Sequence, residues 1–376
     1  MRLPILLVLV TAMTATTSTQ SRPRARDLGI APGAMEPGPL NAITDVDGVR
    51  VGHTTIVEGE NVRTGVTAVL PHPGNLFREK VTGAVYIGNA FGKLAGSTQV
   101  QELGTIESPI VLTNTLSVGT AVEATVRWTL DQAGNENVRS VNALVGETND
   151  GSLNDIRGLH VTLDHVLAAI RGARGGAVDE GAVGAGTGTV AFGWKGGIGT
   201  SSRRVRQGAD TYTVGVLVQS NYGGKLTIAG VPVWKELSRG RRPGPGVPSP
   251  DADGSCMIIV ATDAPLDARD LERLAARAIF AMARTGSTYS NGSGDFAIAF
   301  STHPALRVTP GTTPQARTVL PTDAVSGLFE ATLDATEEAI YNSMLKATDT
   351  TGNGRTIQAI PVDPLRALLQ KYARLQ

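Results

Sequence analysis

The stretch GSCMIIVATDAPL, residues 254–266, marks the sharpest boundary in the chain. Its apolar run, residues 256–260, is short and bounded by turn-forming residues, which is typical of a buried strand. The preceding segment SRGRRPGPGVPSPDADG, residues 238–254, is dense in proline, glycine and charge and has no apolar period, so it predicts a surface loop. Ser255 is therefore expected where an exposed loop enters a buried strand.

A hydroxyl residue at such a junction has two interpretations. The common one is an ordinary turn residue. The other is a nucleophile that attacks the carbonyl of Gly254, converts the amide to an ester and lets water free a new amino terminus at Ser255. Gly254 has no side chain to block this approach and tolerates unusual backbone angles. The freed α-amino group would have a pKa of about 7.7 to 8.0, so it can accept the hydroxyl proton at neutral pH.

The rest of the chain mixes strands and helices and predicts an α/β protein. Short apolar runs predict strands at residues 84–88, 109–113, 142–146, 213–219, 226–231, 257–262 and 296–301. Helical periodicity and capping residues predict helices at 118–130, at 333–346, and from an Asp363-Pro364 cap through Ala373. A further helix has Asp267 as its cap, an apolar face over 271–282 and its end at Thr285 and Gly286.

The amino terminus carries the pattern of a secretory signal. Arg2 precedes an apolar run at residues 3–10, and small residues follow. The run is too short to span a bilayer. We therefore predict that residues 1–22 are a signal peptide and lead-in, and that the protein is exported to the periplasm with no membrane attachment after signal removal. Residues 21–38, rich in Arg and Pro, predict an exposed lead-in, with structure beginning near Asn41.

Composition argues against several classes of function. Basic and acidic residues number 34 each and aromatic residues make up 4%, so no nucleic-acid footprint is visible. The five histidines lack metal-ligand spacing, and the glycines of residues 184–188 lack the strand and acidic partner of a dinucleotide loop. We expect neither a metal nor a cofactor. Cys256 is the only cysteine, so no internal disulfide is possible and it is expected to pack as a small apolar residue.

Several separated motifs occur in an order that resembles one family. They are GSCMIIVATDAPL at 254–266, NGSGDFAIAFST at 291–302, VQSNYGG at 218–224, VGETNDGSLNDIRG at 145–158 and GAGTGTVAFGWKGGIGTSSR at 184–203. Together they resemble the DmpA-like aminopeptidases, which include the β-peptidyl aminopeptidases. The resemblance extends from about Asn41 to the carboxyl terminus.

The resemblance implies a fold and a maturation step. The fold is a four-layer α-β-β-α sandwich of the DmpA and ornithine-acetyltransferase type, similar to the Ntn hydrolases with different connectivity. Residues 41–376 would form one catalytic domain, cut by the protein itself into an α chain ending at Gly254 and a β chain of residues 255–376. The resemblance also implies a homotetramer of cleaved units.

Five residues receive roles from the resemblance. Ser255 is the nucleophile, Ser293 hydrogen-bonds it, and Asp295 orients that pair. The two-residue spacing of Ser293 and Asp295 independently predicts side chains on one face of a strand. Asn221, expected in a glycine-rich turn, would donate to the oxyanion, and Glu147, expected in a turn after a strand ending at Gly146, would hold a substrate ammonium. Without the resemblance, turn, capping or solvated loop roles explain these residues at least as well.

The expected activity is removal of amino-terminal residues from short peptides, amides or esters, including β-amino or D-amino acid derivatives. The sequence leaves the choice among α-, β- and D-amino acids open. One alternative is an acyltransferase similar to ornithine acetyltransferase, although that family uses a threonine nucleophile. Another is an exported, non-catalytic binding module, which predicts a chain that stays uncut.

Overall fold

The computed structural model describes residues 22–237 and 254–372. The predicted signal peptide and the proline-rich loop before Gly254 lie outside these residues. The described residues form seven α-helices: α1 Ser97–Leu103, α2 Val118–Leu130, α3 Leu163–Arg171, α4 Val233–Glu236, α5 Ala268–Thr285, α6 Ser326–Leu345 and α7 Val362–Lys371. They also form fifteen strands: β1 Arg50–Glu58, β2 Val62–Leu70, β3 Val81–Ala90, β4 Leu94–Ala95, β5 Thr105–Ile106, β6 Ile110–Asn114, β7 Leu144–Thr148, β8 Val190–Ala191, β9 Trp194–Lys195, β10 Gly197–Gln207, β11 Asp210–Asn221, β12 Ser255–Thr262, β13 Gly294–Ser301, β14 Thr350–Gly352 and β15 Arg355–Ile357.

Two mixed sheets organise these strands. One has five strands in the order β1-β2-β6-β7-β4, and the other has six in the order β10-β11-β12-β13-β3-β5. The pairs β6 with β7 and β12 with β13 are parallel, whereas the other pairs in the two sheets are antiparallel. The pairs β8 with β9 and β14 with β15 form small separate ribbons.

Three apolar cores separate four layers. The sheets face each other through a core that includes Leu112, Leu144, Met257, Ile259 and Phe296. On the outer face of the six-stranded sheet, α5 and α6 pack over a core that includes Val216, Ile258, Leu274, Met282 and Ile340. On the outer face of the five-stranded sheet, α2 and α3 cover Val66, Val111, Ala121, Ala124 and Val166. The order of layers is α-β-β-α, as predicted.

Strand β12 is buried on both faces, which explains its unbroken apolar run. Cys256 and Ile258 belong to the core under the helices, whereas Met257 and Ile259 belong to the core between the sheets. This alternation follows from the two-residue period of a strand. Cys256 is fully buried, as expected of a packed apolar residue, and burial raises the pKa of its thiol well above the usual value.

Strand β13 runs parallel to β12 and alternates in the same way. Its larger side chains, Phe296, Ile298 and Phe300, belong to the core between the sheets. Ala297 and Ala299 lie on the opposite face, under the helices. Both strands are therefore buried on two sides and form the centre of the molecule.

Helix α5 begins and ends where the sequence predicts. The Asp267 side chain accepts a hydrogen bond from the backbone N–H of Asp270 at 2.9 Å, which caps the first turn. Gly286 ends the helix in the left-handed region, with φ of 99°. The buried face includes Leu271, Leu274, Ala278 and Met282.

The prediction of an exposed lead-in is wrong for the part that the structure describes. Ala25, Leu28 and Ile30 are buried in the core under the helices. The Arg22 guanidinium donates to the carbonyl oxygens of Leu345 and Ile360 at 2.7 and 2.6 Å. Apolar residues and carbonyl-binding arginines thus fasten this segment to the fold, and ordered structure begins well before Asn41.

Two smaller predictions are also corrected. Residues 226–231 form a tight turn instead of a strand, because Ile228 and Val231 hydrogen-bond each other across Ala229 and Gly230, which both have positive φ. The last helix begins at Val362, so Asp363 lies in its first turn and is not the cap. Across the described residues, no helix combines the length and apolar character needed to cross a bilayer.

Candidate active site

A cavity of about 250 Å³ lies where β7, β11 and β12 meet. Four of the residues singled out from the sequence line it: Glu147, Asn221, Gly254 and Ser255. These residues are far apart in the sequence and come from both sheets, so the layered fold brings them together. In the described residues, no group of three or more His, Cys, Asp or Glu side chains is arranged to hold a metal ion.

Ser255 opens β12 in the middle of the six-stranded sheet. It pairs with Asn221 of the antiparallel neighbour β11 and with Gly294 of the parallel neighbour β13. Its side chain is buried but reaches the cavity. Strand pairing on both sides fixes the backbone of Ser255, so the hydroxyl is held at a defined place in the cavity wall.

Gly254 is confined by its neighbours. A Cβ atom at this position would overlap the carbonyl oxygen of Asn221 and lie 2.5 Å from the Cα atom of Tyr222, so a larger residue does not fit. The Gly254 carbonyl oxygen accepts a hydrogen bond of 3.0 Å from the backbone N–H of Gly294. The peptide bond between Gly254 and Ser255 is therefore held from both sides at the edge of the cavity.

Asn221 is the last residue of β11 and does not lie in the glycine-rich turn predicted for it. Its Oδ1 atom accepts a hydrogen bond of 2.9 Å from the backbone N–H of Val190. Its Nδ2 atom donates to the carbonyl oxygen of Asn149 at 3.0 Å. Because an amide nitrogen carries two hydrogens, this bond uses only one of its two donors. Strand pairing and two side-chain bonds together make Asn221 rigid.

Glu147 lies within β7 and not in a turn after it. Its carboxylate is almost fully buried, with Oε1 accepting a hydrogen bond of 2.9 Å from the Lys93 backbone N–H and Oε2 accepting one from the Thr115 hydroxyl. The Lys93 ammonium lies 4.0 Å from Oε1, and its side chain is 56% exposed. A solvated loop carboxylate would be exposed and would lack these hydrogen bonds. The interpretation of Glu147 as a solvated loop residue is therefore wrong.

Ser293 and Asp295 form a buried pair beside the cavity. The Ser293 hydroxyl donates to Oδ1 of Asp295 at 2.8 Å, which confirms that the two side chains share one face. Burial raises the pKa of Asp295 to about 6, and hydrogen bonds from Ser293 and from the Cys256 backbone oppose this rise. Since a hydroxyl has one hydrogen, Ser293 is left as an acceptor toward any further partner.

Several groups at the site carry no signal in the sequence. The Asn149 carbonyl and the N–H groups of Val190 and Gly294 are backbone groups, which almost any residue type supplies. Thr115 and Lys93 are side chains, but their part in the site depends on contacts with Glu147 that only the fold creates.

Comparison with known proteins agrees with this geometry. The signature of Peptidase family S58 matches residues 41–357. The β-peptidyl aminopeptidase BapA of Sphingosinicella microcystinivorans is 45% identical over 377 residues, covering 94% of this chain and 93% of that protein. A crystallised protein from Pyrococcus horikoshii OT3 has a TM-score of 0.88 and 47% identity, covering 94% of this chain and 100% of that one. The L-aminopeptidase D-Ala-esterase/amidase of Ochrobactrum anthropi has a TM-score of 0.88 and 38% identity, with the same coverage, and its structure is described as a variant of the Ntn-hydrolase fold.

The fold and the comparisons thus define a hydrolase with a variant of the Ntn-hydrolase fold. More particularly, the chain belongs to peptidase family S58, and it is an aminopeptidase. The resemblance to the DmpA-like aminopeptidases and the fold class predicted from the sequence are both confirmed.

Proposed function

We propose that the chain cuts itself between Gly254 and Ser255 and then uses Ser255, as a new amino-terminal residue, to release amino-terminal residues from short peptides, amides or esters. The observation that carries this proposal is that Ser255, Asn221 and Glu147 line one cavity. A nucleophile, a neutral amide donor and a buried carboxylate are the three groups that an aminopeptidase of this kind needs.

The first step is attack of Ser255 Oγ on the carbonyl carbon of Gly254. The C–N bond breaks, the acyl group moves to oxygen, and the hydroxyl proton goes to the departing nitrogen. Water then hydrolyses the ester, which leaves a carboxylate on Gly254 and a free amine on Ser255. The N–H of Gly294 already donates to the Gly254 carbonyl oxygen, so it is placed to stabilise the negative charge that develops there.

The pair of Ser293 and Asp295 is suited to support the nucleophile. Gly294 pairs with Ser255 in the parallel ladder, so Ser293 lies next to the start of β12. Ser293 gives its hydrogen to Asp295, and it can therefore accept one from the hydroxyl or the new amine of Ser255. The Asp295 carboxylate then stabilises the positive charge that develops on the Ser255 amine when this amine takes up a proton.

In the second reaction, Ser255 attacks the substrate carbonyl and forms an acyl-enzyme. The α-amine of Ser255 takes the hydroxyl proton, the second N–H of Asn221 stabilises the oxyanion, and the C–N bond breaks as that proton passes to the leaving amine. Water completes the turnover. Glu147 attracts the free ammonium group of the substrate, because a buried carboxylate gains most from an opposite charge.

The names of the relatives support a proposal for the substrate class. One is named a β-peptidyl aminopeptidase and another an L-aminopeptidase and D-Ala-esterase/amidase. We propose small substrates with a free amine for this chain, with β-amino and D-amino acid derivatives among those to be tested. We also propose export to the periplasm and assembly as a tetramer of cleaved units.

Activity should fall below about pH 6. Because burial raises the pKa of Asp295 to about 6, its carboxylate is protonated as the pH drops through that value and loses the negative charge that supports Ser293 and Ser255. We expect kcat/KM of cleaved enzyme to fall roughly tenfold per pH unit on this limb. The variant Asp295→Asn should be less active and lack the limb near pH 6. A pH profile of Asp295→Asn with the same limb would assign it to another group.

The variant Glu147→Gln tests the aminopeptidase assignment. Wild-type enzyme should hydrolyse a peptide with a free amine and reject its acetylated form. Removing the charge of Glu147 should reduce this preference roughly 10- to 100-fold, the value of a charge-assisted hydrogen bond of about 1.5–3 kcal/mol. The measurement is kcat/KM for both substrates.

The control is Glu123→Gln, which makes the same chemical change on the exposed surface of α2. It should leave the preference unchanged. If Glu147→Gln kept the full preference for the free amine, Glu147 would not be the ammonium site.

A further inference from the structure

The ribbon formed by β8 and β9 turns at an unusual pair of residues. Phe192 and Gly193 join the strands, and both have positive φ, 53° and 75°. Such two-residue turns favour Asn-Gly, because a larger side chain is strained in the left-handed region. Strained residues of this kind persist where the surrounding structure holds them, and they cluster at functional sites.

The surroundings of Phe192 hold it firmly against the site. Its backbone N–H donates to the carbonyl oxygen of Tyr222 at 2.8 Å. The two aromatic rings meet edge to face, with centroids 4.9 Å apart. The side chain of Phe192 is 3% exposed and lines the same cavity as Ser255.

The base of the ribbon is fixed equally well. The N–H of Val190 donates to Asn221, the residue next to Tyr222. The fully buried ammonium of Lys195 donates to the carbonyl oxygens of Gly186 and Gly196, both at 2.8 Å. The ribbon is thus a rigid support that carries one aromatic ring to the wall of the cavity.

We infer that Phe192 sets the size of the amino-acid residue that the enzyme releases. This inference rests on the proposed function. A substrate residue bound between Glu147 and Asn221 lies inside the cavity. Phe192 lies on the Asn221 side of this cavity, because Val190 at the base of its ribbon hydrogen-bonds Asn221. Its ring therefore limits the side chain that this residue carries, and small side chains are accepted in preference to large ones.

The test compares Phe192→Ala with wild type on p-nitroanilides of alanine, leucine and phenylalanine and of their β-homologues. The leaving group is constant, so only the released residue changes. We expect the ratio of kcat/KM for large over small side chains to rise at least roughly tenfold in Phe192→Ala, because a hydrophobic pocket discriminates about 10- to 200-fold per methylene. The variant Phe192→Trp should lower the same ratio. The control Phe280→Ala removes a half-exposed ring of α5 that does not line the cavity, and it should leave the ratio close to that of wild type.

Intact mass shows what fraction of each variant is cleaved, and rates are expressed per cleaved chain. If Phe192→Ala does not fold, Phe192→Leu retains an apolar side chain and should shift the ratio in the same direction. An unchanged ratio in folded, cleaved variants would overturn the inference, as would a lower ratio in Phe192→Ala than in wild type. Failure of wild-type enzyme to hydrolyse any of these substrates would instead count against the proposed function.

Discussion

The variant Ser255→Ala should remain a single uncut chain and lose peptidase activity. Wild-type protein should give two fragments that meet between Gly254 and Ser255. The physical reason is that alanine has no oxygen with which to attack the Gly254 carbonyl, and no hydroxyl with which to form an acyl-enzyme. Loss of its nucleophile costs a serine hydrolase on the order of 10⁶ in kcat. The measurement is intact mass under denaturing conditions, followed by kcat on a free-amine substrate.

A control at the next residue separates chemistry from packing. Cys256 is buried on the opposite face of β12, in the core under the helices. The variant Cys256→Ala changes a side chain of similar size in the same strand, so it should lower stability while cleavage between Gly254 and Ser255 continues. An uncut wild-type chain that folds, or a Ser255→Ala chain that is still cut, would remove the self-processing mechanism.

The fold can be predicted from the sequence where apolar patterns are strong. The run after Ser255 predicted β12, and the cap at Asp267 predicted the start of α5. The prediction of an exposed lead-in at residues 21–38 is wrong for the part that the structure describes, because the Arg and Pro content of this segment is typical of an exposed linker. Its burial depends on a few apolar residues such as Ile30 and on arginines that bond distant carbonyl groups.

Part of the candidate site can be predicted from the sequence. The resemblance identifies Glu147 and Asn221, yet the sequence predicts turns at both positions, because polar residues at the ends of strands do not extend an apolar run. Their true positions in β7 and β11 change their physical character. A residue in a paired strand is held more firmly than a residue in a loop, which suits groups that must be in place before the substrate binds.

The variant Asn221→Ala should be cleaved but catalytically poor. Removal of one oxyanion donor typically costs about 10² to 10³ in kcat. The side chain also bonds Val190 and Asn149, so some loss of stability is expected, on the order of 1 kcal/mol for each hydrogen bond. Kinetics on the cleaved enzyme, with thermal unfolding measured beside it, distinguishes the two effects, since a donor to the oxyanion acts on kcat more than on KM.

The control for Asn221→Ala is Asn149→Ala, which removes a side chain but keeps the carbonyl oxygen that Asn221 binds. It should retain kcat close to that of wild type. Self-cleavage of Asn221→Ala should continue, because the backbone N–H of Gly294 already serves the Gly254 carbonyl. An uncut Asn221→Ala chain would show that one donor serves both reactions. Unchanged kcat with raised KM would make Asn221 a binding residue, and the reaction of Ser255 with the substrate would then need another donor to the oxyanion.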